Sequence, residues 1–184
     1  MKTISYPAFA KRQLERTVVD MEFRSEDSCY GLQIAGDHIR SLLRLCRRTS
    51  PFETGGILLG HYSVSHDRAI VTDIAKAPPD SRSGRDWFIR GVRGLQRKID
   101  RLWRRNQGYY LGEWHFHPFG LPLPSSTDIG QMLEIAESEQ YHCPEPVLLI
   151  IGGDPANKWS AKAFVFRRRE GFIEMRSATA RQGT

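Results

Sequence analysis

Three cysteines in 184 residues are too few for a disulfide framework, and Cys29, Cys46 and Cys143 stand far apart with no Cys-x-x-Cys pair among them. Their odd number and spacing argue against disulfides and against a structural zinc, leaving them as small buried apolar residues. No stretch approaches the ~18 consecutive apolar residues of a membrane span. The opening MKTISYPAFAKRQ sets a proline and charges where a signal peptide carries its apolar region. A cytoplasmic protein with no membrane attachment is expected. Internal repeats and low-complexity tracts are also missing, which excludes solenoids and long disordered linkers.

What is there suits one enzyme-sized domain. At 184 residues with 40% hydrophobic content, the chain can bury most of its apolar surface in a single core. Basic residues outnumber acidic ones 27 to 21, giving a formal net charge of +6. Arginines cluster at Arg44, Arg47 and Arg48, at Arg97 to Arg105, and at Arg167 to Arg169. Such patches invite a nucleic-acid reading. The middle cluster, however, is interleaved with Val92, Leu95, Ile99, Leu102 and Trp103 at helical spacing, so its arginines read as the wet face of an amphipathic helix. Nucleic acid is therefore set aside, and a basic surface would instead steer an acidic protein partner.

Periodicity orders the chain. Val18, Met21 and Phe23 suggest one strand in an otherwise weakly patterned start. An amphipathic helix follows from Asp37 to about Arg48, with Ile39, Leu42, Leu43 and Cys46 as its stripe. Strands are predicted near 54–60 and 69–75, a breaker-rich loop over Ala77 to Gly84, a helix over 91–106, and a strand over 110–116. A third helix runs from Ser126 to about Glu139. Pro146 to Ile151 reads as a buried strand, and Ala161 to Arg167 as its hairpin mate. The fold class is α/β, a sandwich with a mixed β-sheet flanked by helices.

The chemistry concentrates in GEWHFHPFGLPLPSSTD, residues 112 to 128, and in the acid of ETGGILLG upstream. Residues two apart in a strand point to one side, so the imidazoles of His115 and His117 can converge while Phe116 turns into the core. Pro118 then ends the strand, and the prolines after it exclude a helix until Ser125 or Ser126 can cap one. Asp128 falls in the first turn of that helix and can face back toward the histidines. Catalytic zinc takes three ligands from His and Asp/Glu and leaves one position for water. His115, His117 and Asp128 supply that set, and Glu53 is a candidate for the base that activates the water.

The upstream Glu, His-x-His-Pro and Ser-x-x-Asp, with ten residues between the second His and the Asp, resemble the JAMM motif of the JAB/MPN zinc isopeptidases. The resemblance covers roughly residues 36 to 166. Phe116 departs from it where relatives carry a small polar residue, on the side away from the metal. The resemblance implies a JAB/MPN domain, zinc ligands His115, His117 and Asp128, a general base Glu53, and an oxyanion-stabilising hydroxyl from Ser125. The chain is accordingly divided into residues 1–35 as an N-terminal extension or first strand, 36–176 as the JAB/MPN metallopeptidase domain, and 177–184 as a flexible tail.

GEWHxHP with PSSTD in a short chain is similar to the bacterial branch that includes deconjugating peptidases of the CBASS and Bil antiphage operons. Implied partners are a ubiquitin-like modifier, or a conjugated nucleotidyltransferase, with E1/E2-like conjugation enzymes encoded alongside. Two alternatives remain at this point: an amidase of the same family acting on a sulfur-carrier or small-molecule conjugate, and a noncatalytic MPN scaffold. Scaffolds of this family lose metal ligands, and none is missing here.

Overall fold

The computed structural model describes residues 19–143 and 145–178. Its elements run β1 (Val19–Arg24), β2 (Gly31–Ala35), α1 (Gly36–Thr49), β3 (Thr54–Tyr62), β4 (Ala69–Ile74), β5 (Arg82–Ser83), β6 (Phe88–Ile89), α2 (Leu95–Asn106), β7 (Tyr109–Pro118), α3 (Ser126–Glu137), β8 (Val147–Gly153), β9 (Trp159–Arg167) and β10 (Gly171–Ser177). Eight strands form one mixed sheet in the order β1-β10-β9-β8-β7-β3-β4-β2, which the β1–β2 pairing closes on itself. The pairs β7/β8 and β2/β4 are parallel. Parallel neighbours need a crossover, and α3 supplies it between β7 and β8.

Alternation along the central strands divides the apolar residues between two layers. Val147, Leu149 and Ile151 of β8 face one layer with Trp114 and Phe116 of β7 and with Ile39, Leu42 and Cys46 of α1. Leu148 and Ile150 face the other, with Leu102 of α2 and Met132, Ile135 and Ala136 of α3. Covered on both faces, β7 is buried nearly end to end. Its His115 side is the side on which α3 lies.

One irregularity sets the phase of β7. Leu58 of β3 pairs with Gly112 and Leu59 with Tyr110, so Leu111 is an extra residue in the ladder. Such bulges are common next to active sites, where they re-aim side chains. Gly112 adopts φ +147°, and a Cβ there would lie 1.9 Å from the Val147 carbonyl oxygen. Because of the bulge, Tyr110 and Glu113, three apart in sequence, share one face.

Several boundaries differ from expectation. The weakly patterned start holds two strands, β1 and β2, paired into the same sheet; residues 1–18 lie outside the described part, as do 179–184 of the expected tail. β10 was not anticipated. The breaker-rich loop contains half of a small hairpin, β5 with β6, followed by Gly94 at φ +85°, so α2 begins at Leu95 rather than 91. Its stripe is narrower than the spacing suggested: Leu102 is buried, while Val92 and Trp103 are exposed. α3 stops at Glu137, and a 3-10 turn over Glu139–Tyr141 follows. Cys46 and Cys143 are buried and their thiols pushed up to about 12 and about 11 by desolvation, but Cys29 is exposed. No helix among the described residues is long and apolar enough to cross a membrane.

Candidate metal centre

β7 brings His115 and His117 to the same side, and α3 brings Asp128 to meet them. Ligand atoms of the three lie within 4.8 Å of one another. His115 Nδ1 lies 2.6 Å from Asp128 Oδ1, and His117 Nε2 lies 3.5 Å from Asp128 Oδ2. His115 and Asp128 are buried, and His117 is only 12% exposed. Two imidazoles and one carboxylate in so small a space match the donor set of a divalent-metal site, so these residues fit a bound ion.

The local sequence explains the precision. Ser125 is the N-cap of α3, its Oγ accepting from the Asp128 backbone N–H while the Ser125 backbone N–H donates to Asp128 Oδ2 at 2.8 Å. This reciprocal capping box holds the carboxylate toward β7. The Ser125 hydroxyl also donates to Asp128 Oδ2 at 2.7 Å. Of the two serines able to cap, Ser125 does so. Opposite, Gly55 pairs with His115, and a Cβ at Gly55 would come within 2.8 Å of the His115 ring and 2.6 Å of the Trp114 carbonyl oxygen. Phe88 of β6 packs its edge against the His115 ring, centroids 5.4 Å apart.

Glu53 directly precedes β3. Thr54 pairs with Phe116, so Glu53 stands level with His117. It is half-buried, and its backbone N–H donates to the Gly84 carbonyl at 2.9 Å, tying it to the β5–β6 hairpin. Burial raises its carboxyl pKa and the negative charge of Asp128 adds to this, while the histidines pull the other way. Burial also opposes the charged forms of Asp128 and His115, but their mutual hydrogen bond outweighs it: Asp128 falls well below the usual carboxylate range, and His115, which is also bonded to Glu113, rises to about 9. All five expected site residues, Glu53, His115, His117, Ser125 and Asp128, therefore gather at one end of β7.

A group that sequence reasoning did not name lies behind the histidine. Glu113 is buried, its Oε2 3.3 Å from His115 Nε2 and its Oε1 2.6 Å from Arg90 Nε. Its i, i+2 relation to His115 was a usable signal; Arg90 gave none.

A family model for prokaryotic homologs of the JAB domain matches residues 36–166. The chain belongs to the prokaryotic JAB family. It is 40% identical over 165 residues to a CD-NTase/cGAS isopeptidase of Enterobacter hormaechei, covering 90% of this chain and 91% of that one. A CD-NTase/cGAS isopeptidase of Vibrio cholerae is 34% identical over 60% of this chain and 70% of its own. A probable metalloprotease of Sinorhizobium fredii is 29% identical over 69% of this chain and 78% of its own length. Among solved structures, a Desulfitobacterium hafniense protein shares the JAB-type fold at TM-score 0.56 and 23% identity, covering 76% of this chain and 86% of that one.

Proposed function

We propose that this JAB protein is a zinc-dependent isopeptidase that hydrolyses the amide joining the C-terminus of a conjugated protein to its target. The observation that carries the reading is the buried His115–His117–Asp128 cluster with Glu53 beside it. His115, His117 and Asp128 would hold the zinc, which when bound would supply a water of pKa lowered to ~7 and a Lewis acid beside the scissile carbonyl. Glu53 takes a proton from that water and delivers it to the departing amine; a carboxyl pKa raised by burial suits both halves of the task. Water is added across the C–N bond, leaving a carboxylate on the modifier and a free amine on the target. To stabilise the oxyanion, the Ser125 hydroxyl turns from Asp128 toward the developing charge.

The surroundings suit a protein substrate. Phe52, Trp87, Ile89, Phe119, Leu121 and Leu123 are exposed on the segment before Glu53, the hairpin, and the proline loop after His117. Apolar side chains in such a setting mark a binding surface. An extended C-terminal tail would lie between hairpin and proline loop. The names of the 40% and 34% identical relatives support a protein of the CD-NTase/cGAS kind as the conjugated nucleotidyltransferase; the placing of the reaction in a cytoplasmic antiphage system with E1/E2-like enzymes encoded alongside rests on the likeness of the GEWHxHP and PSSTD segments alone. The test is single-turnover cleavage of a purified lysine-linked conjugate, with mass spectrometry of the products. Release of the modifier with an intact C-terminal carboxylate is expected; an inert protein on every lysine-linked conjugate would transfer the reading to a sulfur-carrier or small-molecule amide.

A further inference from the structure

Glu113 and Arg90 form a buried pair for which the reaction has no direct use. Their side chains are 2% and 6% exposed, and burying two charges costs more than it returns unless other hydrogen bonds complete them. Here they are completed. Arg90 Nε donates to Glu113 Oε1 at 2.6 Å, one terminal nitrogen donates to the Gly91 carbonyl at 2.9 Å, and the other to the Tyr141 hydroxyl at 3.0 Å. Tyr110, brought to this face by the Leu111 bulge, donates its hydroxyl to Glu113 Oε1 at 3.4 Å. Oε1 is thus taken by Arg90 and Tyr110, and Oε2 is left for one partner, His115 Nε2 at 3.3 Å.

Resting on the metal-site reading, we propose that Glu113, held by Arg90, is the positioning residue for His115. It accepts the Nε2 proton and so presents the Nδ1 lone pair, which faces Asp128, to the metal. A neutral imidazole has one protonated and one free nitrogen. The carboxylate behind the ring decides which is which. Arg90 follows directly on β6, so the pair also fastens the hairpin that bears Trp87 to the back of a metal ligand. Neither residue touches the substrate or the reacting atoms.

The wild-type protein provides the first test. In uniformly 15N-labelled, zinc-loaded protein, long-range 1H–15N correlation of the histidine side chains should show His115 protonated at Nε2 with Nδ1 on the metal; a proton on Nδ1 overturns the proposal. The second test is zinc affinity by competition with a chromophoric chelator. Glu113→Gln should weaken zinc binding ~10- to 100-fold, the effect typical of a lost outer-shell partner. Where Arg90 left unpaired prevents folding, the double variant Arg90→Met/Glu113→Gln removes both charges and should melt cooperatively while still binding zinc weakly. A folded variant with zinc affinity within twofold of wild type overturns the proposal. Wild type that binds no zinc would instead sink the metal-site reading itself, so the two failures are told apart.

Discussion

The two faces of β7 are built from alternate residues of one segment and do different work. Trp114 and Phe116 turn to the apolar layer beneath α1, fully buried, and Trp114 still finds a hydrogen-bond partner in the Ala75 carbonyl at 2.9 Å. Glu113, His115 and His117 turn the other way, into a chain of ionisable groups that ends at Asp128 and Arg90. The apolar face is held by packing, which is additive in area and indifferent to pH. The polar face is held by partners, each of which costs free energy if another is removed. A fold can therefore seat a cluster of ionisable groups around a buried histidine provided the adjacent residues on the same strand anchor it from behind.

Substitutions on the two faces should separate cleanly. The largest effect is expected for His117→Ala, which removes one of the three proposed ligands: wild type should carry about one zinc per chain, and elemental analysis of the variant should find most of it gone, with turnover lost. Full zinc in the variant would dismantle the polar face as a metal site. Glu53→Ala comes next, keeping zinc and fold while cutting single-turnover cleavage toward the upper part of the ~100- to 10,000-fold range of acid–base catalysis. Near-normal cleavage would remove Glu53 from the mechanism. On the apolar face, Trp114→Ala should destabilise by about 3–5 kcal/mol, read by chemical denaturation. A variant that lost turnover but no stability would contradict the division.

Two smaller effects sharpen it. In chelator-treated protein His115 has a folded pKa of about 9 against ~6.5 when unfolded. Since the folded value is the higher, the stability it lends is complete below pH ~6.5 and disappears as pH rises through about 9. Melting temperatures of the metal-free protein should fall across that window; a flat profile would show that the Asp128 and Glu113 bonds do not hold the proton. Finally, Trp87→Ser on the exposed hairpin should raise KM with kcat and zinc content little changed, as measured by steady-state cleavage of the conjugate. Unaltered KM would remove the hairpin from the substrate path.

The His115–His117–Asp128 cluster was legible because each part obeys a local rule. His115 and His117 share a face by strand alternation, and the prolines and Ser125 announce the helix start that delivers Asp128. Leu32 and Ile34, both fully buried, alternate around Gln33 and could have revealed β2, but the segment is only five residues long and opens on Gly31. β10 stayed hidden because most of its residues are exposed and it pairs on one edge with β1, some 150 residues earlier. Arg90 was out of reach for a similar reason: an ion pair between residues 23 apart is fixed by how the hairpin folds back, not by spacing. Long-range pairing, whether of strand edges or of charges, leaves no periodic trace.

The extra Leu111 amounts to a phase slip in an otherwise regular lattice. Upstream of it odd and even positions face one way, and downstream the assignment is exchanged. Anyone transplanting the His-x-His segment into another sheet would copy both imidazoles from residues 113–118 alone, yet with an unbroken strand ahead of them Tyr110 would point to the wrong side. The portable unit begins at Tyr109, and it is one residue longer than the spacing of its functional groups would suggest.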